Sequence, residues 1–318
     1  MNFPTFSYIV FLISLLADIS FFINNDLLIF STLKFTSIFA FFLHIFHVIK
    51  IIKPLTIRFI ITGIFYMILS ILFLNAYLFW NIATYQFSIH IFTVGVMTNL
   101  IIGVLFTWIP MLTMQVLNLN LANKFYYIYQ VAIFIFFVAF FVRDYNLVFF
   151  SGLVLFLVVL FYLYIIYDSV FKDKKVIFLP VVVKYFLSGW IFFLFGILTI
   201  LSIILLNRFD LILLHIDFMV YGFGFLILSG AILHLVPRII WNWFYQEKVK
   251  LGKNVPSIHE LVNEKFALTF LYFFPPFLLF VVFLDFLGLF LVSVSLMFVF
   301  YVCFLILSFY KILKFVFY

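Results

Sequence analysis

Long apolar runs separated by short charged gaps make up almost the whole chain. A membrane-spanning helix needs about 20 mostly apolar residues, and ten runs meet that need: 6–24, 27–49, 56–80, 86–109, 125–142, 145–167, 178–205, 210–236, 266–284 and 286–310. The pattern predicts an all-α, polytopic membrane bundle of about ten transmembrane helices. Met1-Asn2-Phe3-Pro4 has no basic stretch, and no small-residue cleavage site follows the first run, so that run reads as a retained helix.

Composition excludes the soluble classes. Of 318 residues, 69% are apolar or aromatic and 9% charged, with a mean hydropathy of +1.37. A soluble domain carries about 45–50% apolar and about 25% charged residues. Cytosolic enzymes and secreted disulfide scaffolds are therefore excluded. A net charge of +7, spread this thinly, makes no phosphate-binding stripe, so the expected partner is the lipid bilayer and not nucleic acid. Cys303 is the single cysteine and lies inside an apolar run, which rules out a disulfide framework within one chain. The 54 phenylalanines reflect an AT-rich genome and carry no functional meaning.

Basic residues set the expected orientation. Fifteen of the eighteen fall in or beside alternate gaps, among them Lys50, Lys53, Arg58, Lys124, Lys172 and Arg238, whereas only Arg143 and Arg208 fall on the other side. The positive-inside rule then places both termini in the cytoplasm; the expected location is a bacterial cytoplasmic membrane. Most of the tryptophans, Trp80, Trp108, Trp190, Trp241 and Trp243, lie near predicted helix ends, as interface anchors do. Lys34 and Asp18 lie inside the first two runs, at one depth if these form a hairpin turning at Asn25-Asp26. They read as an ion pair locking that hairpin in preference to a proton relay.

The sequence repeats internally. Arg58-Phe-Ile-Ile-Thr-Gly63 recurs as Lys184-Tyr-Phe-Leu-Ser-Gly189, and Gly95, Gly103 and Pro110 recur as Gly222, Gly230 and Pro237. Lys124-Phe125 and Asp144-Tyr145 then match Lys265-Phe266 and Asp285-Phe286 after an insertion between Asn242 and Glu264. The expected organisation is a two-helix lead (1–55), a first four-helix repeat (56–170) and a second (178–318), both copies the same way up. Transporters and membrane redox proteins both use parallel duplication.

Five of the six histidines lie in predicted spans. His90 and His215 fall toward the outer face, and His44, His47 and His234 toward the cytoplasmic face. Imidazole is the commonest metal and haem ligand, and an ionisable group within a membrane is a functional candidate. Each histidine could instead donate a single hydrogen bond to a neighbouring helix. His44 and His47, three residues apart, share a helix face and suit a metal site or an interfacial pair. His259, in Pro256-Ser-Ile-His-Glu, reads as solvated or capping. The frame around two histidines is shared: His90-x4-Gly95-x7-Gly103-x3-Thr107-x2-Pro110, and His215-x-Asp217-x4-Gly222-x7-Gly230-x3-His234-x2-Pro237. Such glycines permit close helix approach or admit a flat macrocycle against the backbone. Counted from the shared glycines, His90 and His215 point about 160° apart around their helices.

This frame resembles NnrS-type membrane proteins and, more distantly, subunit I of haem-copper oxidases. Their helix pattern His-x-His-x4-Gly-x7-Gly-x3-Thr-x2-Pro is matched here with Ser88 in place of its first histidine on one helix and Asp217 in place of its second on the other. The resemblance implies haem b, with copper as a further candidate, held through His90, His215 and, from depth and neighbourhood, His234, with His44 or His47 as an inner partner. Gly95, Gly103, Gly222 and Gly230 are then the expected cofactor-facing positions, respiratory-complex subunits are expected partners, and the expected role is in respiratory electron transfer or in nitrogen-oxide or copper handling. A cofactor-free transporter with its site between the two framed helices, and an accessory subunit of a respiratory complex, are the alternatives.

Overall fold

The computed structural model describes residues 53–172 and 178–317, with short helical pieces at 9–10, 12–13, 15–16, 33–37 and 39–41. Asp18, His44 and His47 lie outside the described residues, and with them the ion pair expected for Asp18 and the inner histidine pair. Eight described helices are long and apolar enough to cross a membrane: α1 (Leu55–Trp80), α2 (Tyr85–Thr113), α3 (Leu119–Val142), α4 (Tyr145–Val170), α5 (Val181–Leu206), α6 (Phe209–Phe244), α7 (Glu264–Phe286) and α8 (Phe290–Phe317). No strand occurs among the described residues.

The helix ends follow from local chemistry. Pro54 and Pro180 stand immediately before α1 and α5, where a missing N–H costs nothing. Thr84, Asn118, Asp144 and Asn263 accept backbone N–H groups at the starts of α2, α3, α4 and α7. Asn81 and Asn207 close α1 and α5 in the left-handed conformation, at φ 53° and 55°, which asparagine tolerates better than most residues. Both prolines of the shared frame lie inside their helices, beyond the expected span ends at 109 and 236. α2 runs through Pro110 to Thr113 and α6 through Pro237 to Phe244. With no water to take up freed backbone groups, continuing the helix is the better outcome in hydrocarbon.

The chain divides into two compact units, Met1–Lys175 and Val176–Tyr318. In the first, α1 packs along α2 and α3 along α4, with thinner contacts of α2 to α4 and of α1 to α3. Its core is aromatic: Phe59, Phe106, Phe125, Tyr129 and Tyr162 are buried, with the rings of Phe125 and Tyr129 stacked at 5.5 Å. In the second, α5 packs along α6 and α7 along α8. Tyr185, Leu226, Phe270, Phe274 and Phe304 centre that core. Trp190 is no interface anchor: it is fully buried between Phe193 and Phe223, each 5.2 Å away.

Glycines set the spacing within each unit. A Cβ on Gly63 would meet Leu100 and the Val96 carbonyl, and one on Gly189 would meet Ile227 and the Phe223 carbonyl. Gly95 and Gly103 are covered by Tyr66 and Phe59 of α1, and Gly222 and Gly230 by Phe192 and Phe186 of α5. Close approach of this kind replaces the hydrophobic drive that lipid cannot supply. A Cβ at Gly103 would stand 2.6 Å from the Phe59 Cβ, an atom fixed by its own backbone, whereas one at Gly189 would stand 3.1 Å from the tip of Ile227. Gly103→Ala is therefore expected to cost about 1–3 kcal/mol and Gly189→Ala much less. Thermal unfolding in detergent micelles checks the order; equal losses would show that the contact at Gly103 is not tight.

Candidate functional site

α2 and α6 each contain one stretch where the helix widens to i→i+5 pairing: Ile91–Met97 in α2 and Phe218–Gly224 in α6. Widening of this kind breaks the regular ladder, frequently at functional sites. In α2 the affected carbonyls are met by side chains. Thr98 Oγ1 donates to the Thr93 carbonyl (2.8 Å), Tyr129 of α3 to that of Val94 (3.1 Å), and Asn99 Nδ2 to that of Gly95 (2.6 Å). Gln130 Nε2 then donates to Asn99 Oδ1 at 2.7 Å. Nothing in the apolar pattern singles these residues out; Asn99 and Gln130 carry the signal, as amides within predicted spans.

The histidines sit on either side of these stretches. His90 immediately precedes the first. Its Nδ1 lies 2.7 Å from the Gln86 carbonyl, and its ring lies 4.4 Å from that of Phe140 on α3. His215 precedes the second by three residues and faces the other way, toward α5, with Nδ1 2.8 Å from the Gly196 carbonyl. His234 is buried farther along α6, one turn before Arg238. Nineteen residues separate His215 from His234, or about 28 Å at about 1.5 Å per residue, so these two cannot share one metal. His259 is 87% exposed and pairs with Glu264 at 3.0 Å. Among the described residues no group of three His, Cys, Asp or Glu side chains could hold a metal ion. The faces of Gly95, Gly103, Gly222 and Gly230 are occupied by aromatic side chains, so a macrocycle reaching those backbones would have to displace Tyr66, Phe59, Phe192 or Phe186.

Asp217 lies two residues beyond His215 and so on the opposite side of α6. Its buried carboxyl meets that of Asp285, at the end of α7. Asp285, also buried, accepts a hydrogen bond from Ser293 of α8. The charge pattern placed Asp285 in a gap between spans; the signal that finds it is Asp217, an acid inside a span, which calls for a polar neighbour at its depth.

The eight apolar helices define the class: a polytopic α-helical membrane protein. The chain is 38% identical over 274 residues to an uncharacterized protein of Aquifex aeolicus (strain VF5), a match covering 85% of this chain and 71% of that protein, and it belongs to the same family. No family model and no solved structure matches it.

Removing the Asn99 side chain would leave the Gly95 carbonyl and the Gln130 amide without their partner. Hydrogen bonds between membrane helices are worth about 0.6 kcal/mol on average and up to about 1.7. Asn99→Ala is expected to lie at the upper end, and Asn99→Asp to recover less than Asn99→Gln, because only an amide donates. Unfolding in detergent measures both; indifference to all three changes would show the widened stretch needs no side-chain support.

Proposed function

We propose that this is a haem-binding redox protein of a bacterial cytoplasmic membrane, in which His215 would hold the haem, with a role in respiratory electron transfer or nitrogen-oxide handling. The observation that carries the reading is the state of the His215 imidazole. Its Nδ1 is held by the Gly196 carbonyl, a bond that fixes the tautomer with Nε2 as the ligating nitrogen, as second-shell partners of metal-bound histidines do. One imidazole would suffice to hold a haem. Iron bound there would supply one-electron chemistry. The chain's own part is to aim the imidazole and surround it with α5 and α6 side chains. His90, with its Nδ1 likewise on a backbone carbonyl, is the second ligand candidate. Copper, which wants several converging donors, finds no such set among the described residues, and His234 is too far along α6 to complete one with His215.

The same reading takes the two units as copies of one four-helix design, preceded by two further helices, with both termini in the cytoplasm. The widened stretches, Ile91–Met97 and Phe218–Gly224, lie 127 residues apart in the sequence, and the asparagine-closed ends of α1 and α5 lie 126 apart. The glycine contacts correspond in the same way, Leu100 to Ile227 and Tyr66 to Phe192. A cofactor-free transporter is the second reading, favoured by the buried acids Asp217 and Asp285.

Purified in detergent, the protein is expected to show a Soret band and bound iron. Loss of even an outer partner lowers metal affinity about 10–100-fold, so His215→Ala should reduce bound haem by at least about tenfold, with a weaker loss in His90→Ala. A colourless preparation that takes up no haem overturns the redox reading; acid-dependent uptake in proteoliposomes without metal supports the transporter.

A further inference from the structure

The first unit carries a cation whose charge no acid meets among the described residues. Arg58, the fourth residue of α1, is half-buried against α3, where its guanidinium donates to Asn123 Oδ1 and to the Tyr127 hydroxyl, the latter at 3.4 Å. It lies over the rings of Tyr126 and Tyr127, 5.0 and 5.9 Å from their centres, and the negative face of an aromatic ring attracts a guanidinium at such distances. Thr62 fixes this platform: its hydroxyl donates to the Arg58 carbonyl at 2.8 Å and so accepts from Tyr126, also at 2.8 Å. Each of these partners is neutral, and the Arg58 Nε is buried with no acceptor.

The acids of the first unit are engaged elsewhere. Among its described residues these are Asp144, which caps α4 at the far end of α3, and Asp168, held by Asn118 at 2.8 Å and by Lys172 at 2.7 Å. Lys53 and Lys124, both exposed, add positive charge at the end where α1 and α3 begin. Helix packing does not account for this arrangement. The sequence repeat aligns Arg58 with Lys184 and Asn123 with Glu264, an acid that pairs with His259, and it aligns Tyr126 and Tyr127 with Ala267 and Leu268. A neutral seat and an aromatic platform are thus particular to the first unit.

Position decides which anion fits. α1 has 26 residues, about 39 Å at about 1.5 Å per residue, against a hydrocarbon thickness of about 30 Å, so its first turn stands at headgroup level. A phosphate accepts two N–H groups from one guanidinium, and the Tyr127 hydroxyl, which accepts from Arg58, keeps its own O–H to donate. Farther along α3, Val131 and Phe134 share a face with Tyr127, and all three are more than half exposed. That strip is where an acyl chain lies when its headgroup sits at Arg58; a free phosphate has no use for it.

We propose that Arg58 and Tyr127, on the platform of Tyr126, bind the phosphate of an anionic phospholipid whose acyl chains lie along α3. The contacts are hydrogen bonds and charge pairing, and no covalent bond changes. A zwitterionic lipid brings the same phosphate together with a cation of its own, which the charges of Arg58, Lys53 and Lys124 disfavour. The site does not rest on the haem reading.

Native mass spectrometry of the full-length protein in detergent, titrated with phosphatidylglycerol, phosphatidylcholine or inorganic phosphate, tests the site. Wild type is expected to retain one phosphatidylglycerol about fivefold more tightly than phosphatidylcholine, and Arg58→Gln to weaken that retention about tenfold. Asn123→Asp leaves Arg58 in place and sets a carboxylate against it; it should weaken retention as much, and it keeps the test open should Arg58→Gln fail to fold. Tyr127→Phe keeps the ring and should cost less than either. Retention unchanged in Asn123→Asp, or in a folded Arg58→Gln, overturns the proposal. So does a wild type that holds the two lipids equally or holds neither. Inorganic phosphate that binds as one equivalent and displaces the lipid assigns the site to the free anion, and that also overturns it.

Discussion

Hydrocarbon gives the backbone no hydrogen-bonding partner, so each carbonyl that leaves the regular helical ladder must be met from within the protein. That constraint accounts for the most informative features of this molecule. The widened stretch of α2 survives because Thr98, Tyr129 and Asn99 reach the carbonyls of Thr93, Val94 and Gly95. α2 and α6 continue through Pro110 and Pro237 for the same reason, since one missing N–H is a smaller loss than exposing a whole helix end to lipid.

Lipid also withdraws the usual hydrophobic drive for packing helices together, and small residues take its place. Each glycine of the shared frame lets an aromatic or aliphatic side chain lie against its backbone. The consequence reaches the candidate site. With α5 drawn close to α6, the Gly196 carbonyl comes within hydrogen-bonding distance of His215, and the same glycine leaves room for Met219. Packing and imidazole orientation therefore have a common origin in residues that carry no side chain.

α6 shows how two residues in one motif acquire different tasks. His215 and Asp217 are two positions apart, about 200° around a helix, so one turns to α5 and the other to α7. In α2 the position aligned with Asp217 holds His90, which turns to α3 and packs on Phe140. The aligned position thus faces the corresponding neighbour in each unit, α3 or α7, with an imidazole in one and a carboxyl in the other.

The sequence alone determined the all-α character, the placement of the eight described spans to within a few residues at most ends, and the glycine frame, because apolar length and residue size are properties of the chain itself. The candidate histidines were legible for the same reason, as ionisable groups in apolar runs. Tertiary structure decided what those groups meet. Asp285 looked like a loop acid until α6 brought Asp217 against it, Trp190 looked like an anchor until Phe193 and Phe223 enclosed it, and Asn99 became a backbone partner only where the helix widened. Depth and residue type can be read along one dimension; which neighbour a side chain faces depends on helix rotation and local pitch, and those are set by packing between helices far apart in the chain.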